Sequence, residues 1–342
     1  MRTHHPLPAF LLPLSHGIYA IDTGFERPGF DAAYLIVQEG RAAFIDTGHN
    51  AAVPRLLAAL EHVGLSVDAV DWVIPTHVHL DHAGGVGLLM QHLPHAQVLI
   101  HPRGVRHLID PSALIAGAEG VYGAEVVQKT YGTVVPVSAE RVLASHDGME
   151  VVLGGSRPLL LIDTPGHARH HHCVWDARSH GWFSGDTLGI SYREFDGPQG
   201  PHSAWIFPSA TPVQFDPPAL KASIERMMGF GPHWFYLTHF GRVGGHLDHT
   251  SRLAMQLLDL TDAYATLAST QAENDLLQGM RHTLITSARS HGATLNEATA
   301  AALLRHDIAL NAQGLAIWQR QKANESSPQK ASPSSFRARA SN

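Results

Sequence analysis

The sequence predicts an α+β fold, a four-layer αββα sandwich that continues into a helical extension at its C-terminal end. Short apolar runs alternate with helical apolar spacing through residues 1–247, and only helical spacing follows. Because both parts of the alternating region are rich in strands, we expect two sheets packed face to face with helices outside them. The length of 342 residues and the hydrophobic content of 44% are enough for a large core.

Three apolar runs near the start of the chain, GIYAID, AAYLIV and RAAFIDTG, predict strands, and the last of them ends in a turn. Residues 51–63 then carry apolar side chains at helical spacing: Val53, Leu56, Leu57 and Leu60. DWVIPTH and AQVLIHP predict two further strands, with a helix between them at 84–93. Residues 110–140 break this alternation with many small side chains, and we interpret them as an insertion or lid.

The alternation resumes with EVVLG, LLLIDTPGH, HHCVWD and GWFSGD, each of which predicts a strand. A loop rich in glycine, proline and aromatic residues covers 190–215, and a helix at 218–228 leads to the strand WFYLTH. Residues 248–322 keep helical spacing and form the predicted extension. Few apolar residues occur in 323–342, so we expect this tail to be disordered.

Composition indicates which kinds of partner the protein can have and in which compartment it lies. The net charge is −6 and no basic cluster precedes the tail, which argues against a nucleic-acid partner. No apolar stretch approaches the roughly 20 residues of a membrane span, so we expect no membrane partner. Cys173 is the single cysteine, and the run AFLLPL lies between prolines without a cleavage site. We therefore predict a cytoplasmic protein.

The stretch PTHVHLDHAGG places His77, His79, Asp81 and His82 within six residues. Side chains alternate along an extended loop, so the first three point to one side, and the glycines permit a turn into a helix. Histidines combined with oxygen ligands suit Zn²⁺, Fe²⁺ or Mn²⁺. An ordinary polar loop is the alternative. Three further metal-type residues follow directly after predicted strands, which favours a metal site: His167, Asp186 and His239.

Five motifs occur along the chain in the order FIDTG, THVHLDH, DTPGH, SGDT and LTH, and this order resembles the metallo-β-lactamase superfamily. The resemblance covers about residues 18–245 and implies that 1–247 form a catalytic domain of the metallo-β-lactamase fold. It also implies two divalent metal ions in the cleft where the sheets meet. Zinc is the expected metal, with iron and manganese as alternatives.

The resemblance implies a role for each motif residue. One metal ion would be held by His77, His79 and His167, and the other by Asp81, His82 and His239. Asp186 would bridge the two ions, and Asp46 would brace the loop by hydrogen bonds. His171 falls where many family members carry a second histidine after the turn, and we expect it to support the ligands.

The resemblance implies a metal-dependent hydrolase in which a hydroxide bridging the metals attacks a carbonyl or phosphoryl centre. Asp81 would also act in catalysis by orienting the water and passing a proton to the leaving group. The chain lacks the C-terminal basic and aromatic set of glyoxalase II, the cysteine ligand usual in zinc β-lactamases and the extra parts of the nucleases. The predicted substrate is therefore a small acyl compound with an ester-type bond: a lactone, a thioester or a carboxylester.

Other interpretations stay open at this point. A non-catalytic metal-binding sensor, a phosphodiesterase and a β-lactam hydrolase of the same fold are alternatives. Tyr192 and Trp205, in the aromatic loop, are candidate contacts to the small-molecule substrate. Packing of these aromatic rings against the C-terminal helices is the competing explanation. We also leave a homodimer open.

Overall fold

The computed structural model describes residues 7–326, in which two mixed sheets face each other. The strands of the first sheet stand in sequence order: β1 (Leu11–Pro13), β2 (Ile18–Asp22), β3 (Ala32–Gln38), β4 (Arg41–Ile45), β5 (Val70–Ile74), β6 (Gln97–Ile100) and β7 (Val142–Ala144). The second sheet contains β8 (Met149–Leu153), β9 (Arg157–Asp163), β10 (His172–Asp176), β11 (Gly181–Gly185), β12 (Trp234–Leu237) and β13 (Gly241–Gly244). Its strands run in reverse order, from β13 at one edge to β8 at the other.

Helices cover the outer faces of both sheets. Those that come before the second sheet in the chain are α1 (Val53–His62), α2 (Leu80–Ala83), α3 (Val86–His92), α4 (Val105–Ile109), α5 (Ser112–Tyr122) and α6 (Ala124–Tyr131). Those that come later are α7 (Pro217–Met228), α8 (Leu247–Thr270), α9 (Leu276–His291), α10 (Glu297–Leu303) and α11 (Arg305–Ser326). None of the helices in the described part of the chain is both long and apolar enough to cross a membrane.

A fully buried apolar layer joins the inner faces of the two sheets. Ile36 and Ile45 of the first sheet belong to one cluster with Leu161, Phe183 and Tyr236 of the second, and each exposes 1% of its surface or less. Alternation along the strands places these side chains inside. The prediction of an α+β sandwich with two sheets between helices, followed by C-terminal helices, is therefore confirmed.

The strand directions bring several loops to one edge of the sandwich. β4 and β5 are parallel, with Ile45 opposite Ile74, and β11 and β12 are parallel as well. Parallel strands end at the same edge of a sheet, which is where ligands bind in open α/β sheets. The residues that follow these four strands therefore meet at the mouth of the interface between the sheets.

The C-terminal helices share a core with the second sheet. Trp182 and Phe235 lie in one buried cluster with Leu257 of α8, Leu284 of α9 and Leu315 of α11. The division into a catalytic domain 1–247 and an extension 248–322 stays a prediction.

Helix α11 overlaps the first four residues of the predicted tail, whose assignment as a separate unit stays a prediction. Helix α11 continues to Ser326, whereas disorder was expected from residue 323. Ala323 and Glu325 are helix-forming residues, and the ammonium group of Lys322 lies 3.1 Å from the Glu325 carboxylate one turn later. The rest of the predicted tail, residues 327–342, lies outside the described residues.

The segment 110–140, interpreted from sequence as an insertion or lid, contains the helices α5 and α6. Helix α5 has no buried residue and α6 buries only Val127. The apolar side chains of α5 form no buried stripe, so periodicity could not reveal this helix. Tyr131, at the end of α6, stacks on Phe25 with 5.8 Å between ring centroids.

Candidate metal centre

The loop after β5 and the short helix α2 present four predicted ligands. His77 and His79 precede α2, and Asp81 and His82 lie within it. A Cβ atom at Gly84 would come within 2.3 Å of the Leu80 carbonyl oxygen, so this tight turn requires glycine. The glycine after THVHLDH thus allows the loop to fold back over the edge of the sheet.

Three imidazole nitrogens converge on one point at this edge. His79 Nδ1 lies 2.8 Å from His77 Nε2 and 3.2 Å from His167 Nε2. Burial lowers the pKa of each of these histidines below its ordinary value, so the neutral forms carry lone pairs. One proton cannot satisfy three nitrogens at these distances, whereas a single cation bound by all three can.

A second group forms from Asp81, His82 and His239. The Asp81 Oδ2 atom lies 3.4 Å from His239 Nε2 and 3.8 Å from His82 Nε2. Burial alone would lower the pKa of His239, but the charges of Asp186 and Asp81 outweigh it and raise that pKa to about 9. Burial opposes the charged form of His82 as well, yet the charges of Asp186 and Asp81 raise its pKa, so both rings would release a proton on binding a cation.

Asp186 connects the two groups through its separate oxygen atoms. Its Oδ2 lies 3.3 Å from His167 Nε2, and its Oδ1 lies 3.3 Å from His82 Nε2 and 3.7 Å from His239 Nε2. Asp186 Oδ1 and His82 Nε2 are buried, and neither has a hydrogen-bond partner in the described part of the chain. Unsatisfied buried polar atoms are costly, and a pair of divalent cations would satisfy both. These residues therefore fit a dinuclear metal centre.

The outer nitrogens of three histidines are held by oxygen atoms. His82 Nδ1 donates to Asp46 at 2.9 Å, His239 Nδ1 to the Phe30 carbonyl at 3.1 Å, and His167 Nδ1 to the Ser209 carbonyl at 3.1 Å. Each bond fixes the tautomer that leaves Nε2 free to bind a cation.

Asp46 joins the two sheets at the centre. Its carboxylate accepts hydrogen bonds from the Thr76 amide at 2.7 Å, the Thr238 hydroxyl at 2.8 Å and His82 Nδ1 at 2.9 Å. Thr76 follows β5 of the first sheet, and Thr238 follows β12 of the second. Asp46 is placed to brace the loop in the way that the sequence predicts.

His171 contacts the backbone of Asp186 and lies behind it. The Asp186 amide donates to His171 Nε2 at 3.2 Å, and His171 Nδ1 lies 3.0 Å from the Thr164 hydroxyl. Burial keeps the pKa of His171 well below its ordinary value, so the ring is neutral and can accept that bond. A Cβ at Gly185 would lie 2.6 Å from His171 Nε2, which explains the glycine in SGDT.

The Asp46→Asn variant should lose metal affinity by about 10- to 100-fold, because removing a partner of a metal-binding histidine has an effect of this size. An amide has only one acceptor oxygen, so it cannot accept both from the Thr76 amide at the position of Oδ1 and from His82 and Thr238 at the position of Oδ2. Affinity is measured by competition with a chromophoric chelator. Asp68→Asn, at an exposed carboxylate, is the control. Equal affinity in the two variants would show that Asp46 does not support the centre.

Tyr192 and Trp205, the candidate substrate contacts, are buried in the core and do not face the centre. Trp205 exposes 0% of its surface, and its indole nitrogen donates to the Ser287 hydroxyl in α9 at 3.0 Å. Tyr192 exposes 1%, and its hydroxyl donates to Asp307 in α11 at 3.1 Å. Both aromatic rings pack the loop against the C-terminal helices, which is the alternative left open from the sequence, and their assignment to substrate stays a prediction.

Trp205→Ala should destabilise the fold by about 3–5 kcal/mol, as expected for a fully buried tryptophan. The KM of the remaining folded protein should equal that of the wild type, since the ring lies away from the centre. Denaturant unfolding and steady-state kinetics on the same preparations test both statements. If Trp205→Ala changed KM without changing stability, Trp205 would be assigned to the substrate site.

Sequence reasoning missed two kinds of supporting group. The hydroxyls of Thr76 and Thr238 both contact Asp46, and each threonine directly precedes a ligand histidine. The repeated dipeptide Thr-His was the available signal. The carbonyls of Phe30 and Ser209 are main-chain atoms, and no residue type in the sequence marks them.

The αββα fold and a convergent set of histidines and aspartates define a metal-dependent hydrolase class. The family model of the metallo-beta-lactamase superfamily matches residues 27–239, and the chain belongs to this superfamily. This confirms the resemblance seen in the sequence, and the protein is a metal-dependent hydrolase of this family. Divalent metal binding is a property of the fold, whereas the metal's identity and the role of each ligand stay predictions.

Two kinds of protein are similar to this chain in sequence: an archaeal protein named for its fold and the hydroxyacylglutathione hydrolases. The chain is 27% identical over 231 residues to the metallo-beta-lactamase fold-containing protein ST1585 of Sulfurisphaera tokodaii, covering 66% of this chain and 79% of that protein. It is 29% identical over 180 residues to a hydroxyacylglutathione hydrolase of Salmonella paratyphi A, covering 50% of this chain and 53% of that enzyme. The chain thus spans about half the length of the latter relative.

Solved structures support the fold. The ST1585 crystal structure, described as an archaeal metallo-beta-lactamase superfamily protein from Sulfolobus tokodaii, superposes with a TM-score of 0.62 at 23% identity, over 89% of this chain and 99% of that chain. TTHA1429 from Thermus thermophilus, a metallo-beta-lactamase family protein, gives a TM-score of 0.59 at 20% identity, over 90% and 94% of the two chains. At these identities the likeness shows the fold alone.

Proposed function

We propose that this protein is a dinuclear metal-dependent acyl hydrolase that cleaves an ester-type bond, with thioesters as its preferred class. The observation that carries the proposal is the placement of Asp186, whose two oxygens reach separate groups of histidines. Similarity to hydroxyacylglutathione hydrolases, whose name describes cleavage of a thioester, supports the choice of bond.

One cation would be held by His77, His79 and His167, and the other by Asp81, His82 and His239, with Asp186 shared between them. A pair of divalent ions there supplies an acidified water and polarises the substrate carbonyl. We keep zinc as the expected metal. The chain's own part is to hold the imidazoles in one tautomer and to keep the ligand atoms within each group of three residues no more than 4.8 Å apart.

Asp81 is the residue that we propose to accept and pass on the proton of the attacking water. It is the most exposed carboxylate at the centre, with 24% of its side chain accessible against 6% for Asp186. A thiol has a pKa of about 8.5, so a thiolate can leave without full protonation. A thioester therefore requires less acid catalysis from this single carboxylate than an alkyl ester does.

The test is a hydrolysis screen of thioesters, lactones, carboxylesters, β-lactams and phosphodiesters with protein of known metal content. We expect the highest kcat/KM on thioesters. Highest activity on phosphodiesters or β-lactams would replace the proposal with another hydrolase of the same fold. Absence of turnover by protein that holds two ions would favour a sensor. The cytoplasmic location, a small-molecule substrate and the homodimer left open from the sequence stay predictions.

A further inference from the structure

A cavity of about 880 Å³ lies next to the three-histidine side of the metal centre. Its wall is formed by the loop after β6 with α4, by the turn that carries His167, and by Gln321 of α11. His170, which lines the cavity, connects it to the centre, since its ring centroid lies 5.5 Å from that of His79. The volume falls within the range of small-molecule sites.

Three arginines line this cavity: Arg103, Arg106 and Arg169. All three are exposed, and none forms an ion pair with a carboxylate within residues 7–326. Asp110 is the acidic residue of the lining, and its carboxylate accepts the Ser112 amide at 3.1 Å. Three positive charges and one negative charge leave a net charge of +2. The wall is therefore complementary to an anion.

The residue that connects the cavity to the centre carries a buried polar atom without a partner. His170 exposes only 6% of its surface, and its Nδ1 atom has no hydrogen-bond partner among the described residues. A buried polar atom without a partner is unfavourable unless a ligand or water supplies the missing bond. Since His170 lies between the arginines and the centre, a ligand that reaches both would pass this ring.

Apolar side chains form another part of the cavity wall and indicate what else the ligand would carry besides its anionic group. Val105, Ile109 and Val213 contribute to the wall beside the arginines. Val213 is 56% exposed, so a large apolar side chain is open to solvent at this surface. The cavity thus suits a molecule that combines an aliphatic part with one or more anionic groups.

We propose that this cavity binds a carboxylate or phosphate group of the substrate, which makes the enzyme selective for anionic thioesters. The proposal rests on the proposed thioester hydrolysis and adds the charge of the substrate. Guanidinium groups bind carboxylate and phosphate through paired, charge-assisted hydrogen bonds. The susceptible bond would then lie at the metals while the charged end lies at Arg103, Arg106 and Arg169.

The experiment compares four thioesters in steady-state kinetics. The neutral reference is the propionyl thioester of N-acetylcysteamine. The charged substrates are its succinyl counterpart, the propionyl thioester of 3-mercaptopropionate, and propionyl-coenzyme A. The succinyl thioester carries a carboxylate on the acyl side, and the 3-mercaptopropionate thioester carries one on the thiol side. Propionyl-coenzyme A carries phosphates on the thiol side. The substrate with the lowest KM identifies the source of the anionic group.

The variant is R103Q/R106Q/R169Q, and Arg305→Gln is the matched control, an exposed arginine at the start of α11. Arg305 stands 16 residues before Gln321, about 24 Å along the helix from the cavity. In the triple variant we expect the ratio of charged to neutral kcat/KM to fall about ten-fold or more, mainly through KM. In the control that ratio should match the wild type.

A ratio that the triple variant leaves unchanged, or wild-type protein without preference for any charged substrate, would overturn the proposal. Failure to cleave any thioester would instead overturn the proposed function. In that case, calorimetric titration with glutarate and with pyrophosphate still tests whether the cavity binds anions. Binding that weakens about ten-fold in the triple variant, but not in Arg305→Gln, supports it, and equal or absent binding in all three proteins contradicts it.

Discussion

Asp186→Ala is expected to reduce hydrolytic activity by about a thousand-fold or more and to leave the protein with less than two metal ions. The two oxygens of the Asp186 side chain face separate histidine groups, so its removal would take a proposed ligand from each ion at once. Loss of the ions removes the acidified water on which the reaction depends. Elemental analysis and kcat on the preferred thioester measure the two effects.

The fold of Asp186→Ala should remain intact, because the bond from the backbone amide of residue 186 to His171 is kept. Circular dichroism checks this point. Asp259→Ala, at an exposed aspartate on α8, serves as the control for loss of a carboxylate. Near-normal turnover in Asp186→Ala would mean that another residue bridges the ions.

Removal of metal from the wild-type protein by a chelator should lower the melting temperature by on the order of 10 °C. A ligand present at a thousand times its Kd stabilises the folded state by about 4 kcal/mol, and 1 kcal/mol corresponds to about 2–4 °C in domains of about 150–250 residues, the size predicted for the catalytic domain. Without cations, Asp186 Oδ1 and His82 Nε2 stay buried and unsatisfied. Differential scanning calorimetry before and after chelation measures the change.

Re-addition of Zn²⁺ should restore the melting temperature with uptake of two ions per chain. The Asp186→Ala variant is the control here, since it should respond much less to the chelator. Uptake of one ion or none, with an unchanged melting temperature after chelation, would contradict a dinuclear centre.

The sequence predicted the positions of the metal-type residues because strand ends fix them. Asp186 follows β11 and His239 follows β12 within two residues, so a correct strand assignment was enough to place both side chains at one edge. The same reasoning could not decide where Trp205 points. An aromatic loop residue has the same composition whether it faces a cavity or a core, and its contact with Ser287 lies 82 residues away in sequence.

The arginine-lined cavity could not be predicted from the sequence either. Arg103 and Arg169 belong to different loops, and no periodic pattern relates them. Arg103 and Arg169 line the same cavity because the loop after β6 packs near the turn after β9. Short-range patterns predict elements and their ends, whereas a shared surface depends on how distant elements pack.

The contacts of α11 have a consequence for the order of events during synthesis of the chain. Asn311 of α11 accepts the amide of Ala210 at 2.7 Å, next to Ser209, whose carbonyl holds the ligand His167. Asp307, also in α11, accepts from Tyr192, which stacks on Phe30 beside His239. On the ribosome, a nascent chain would expose every ligand before this helix emerges. The loops behind two of the proposed ligands would reach their final positions only once α11 docks, so the active enzyme would form late in translation.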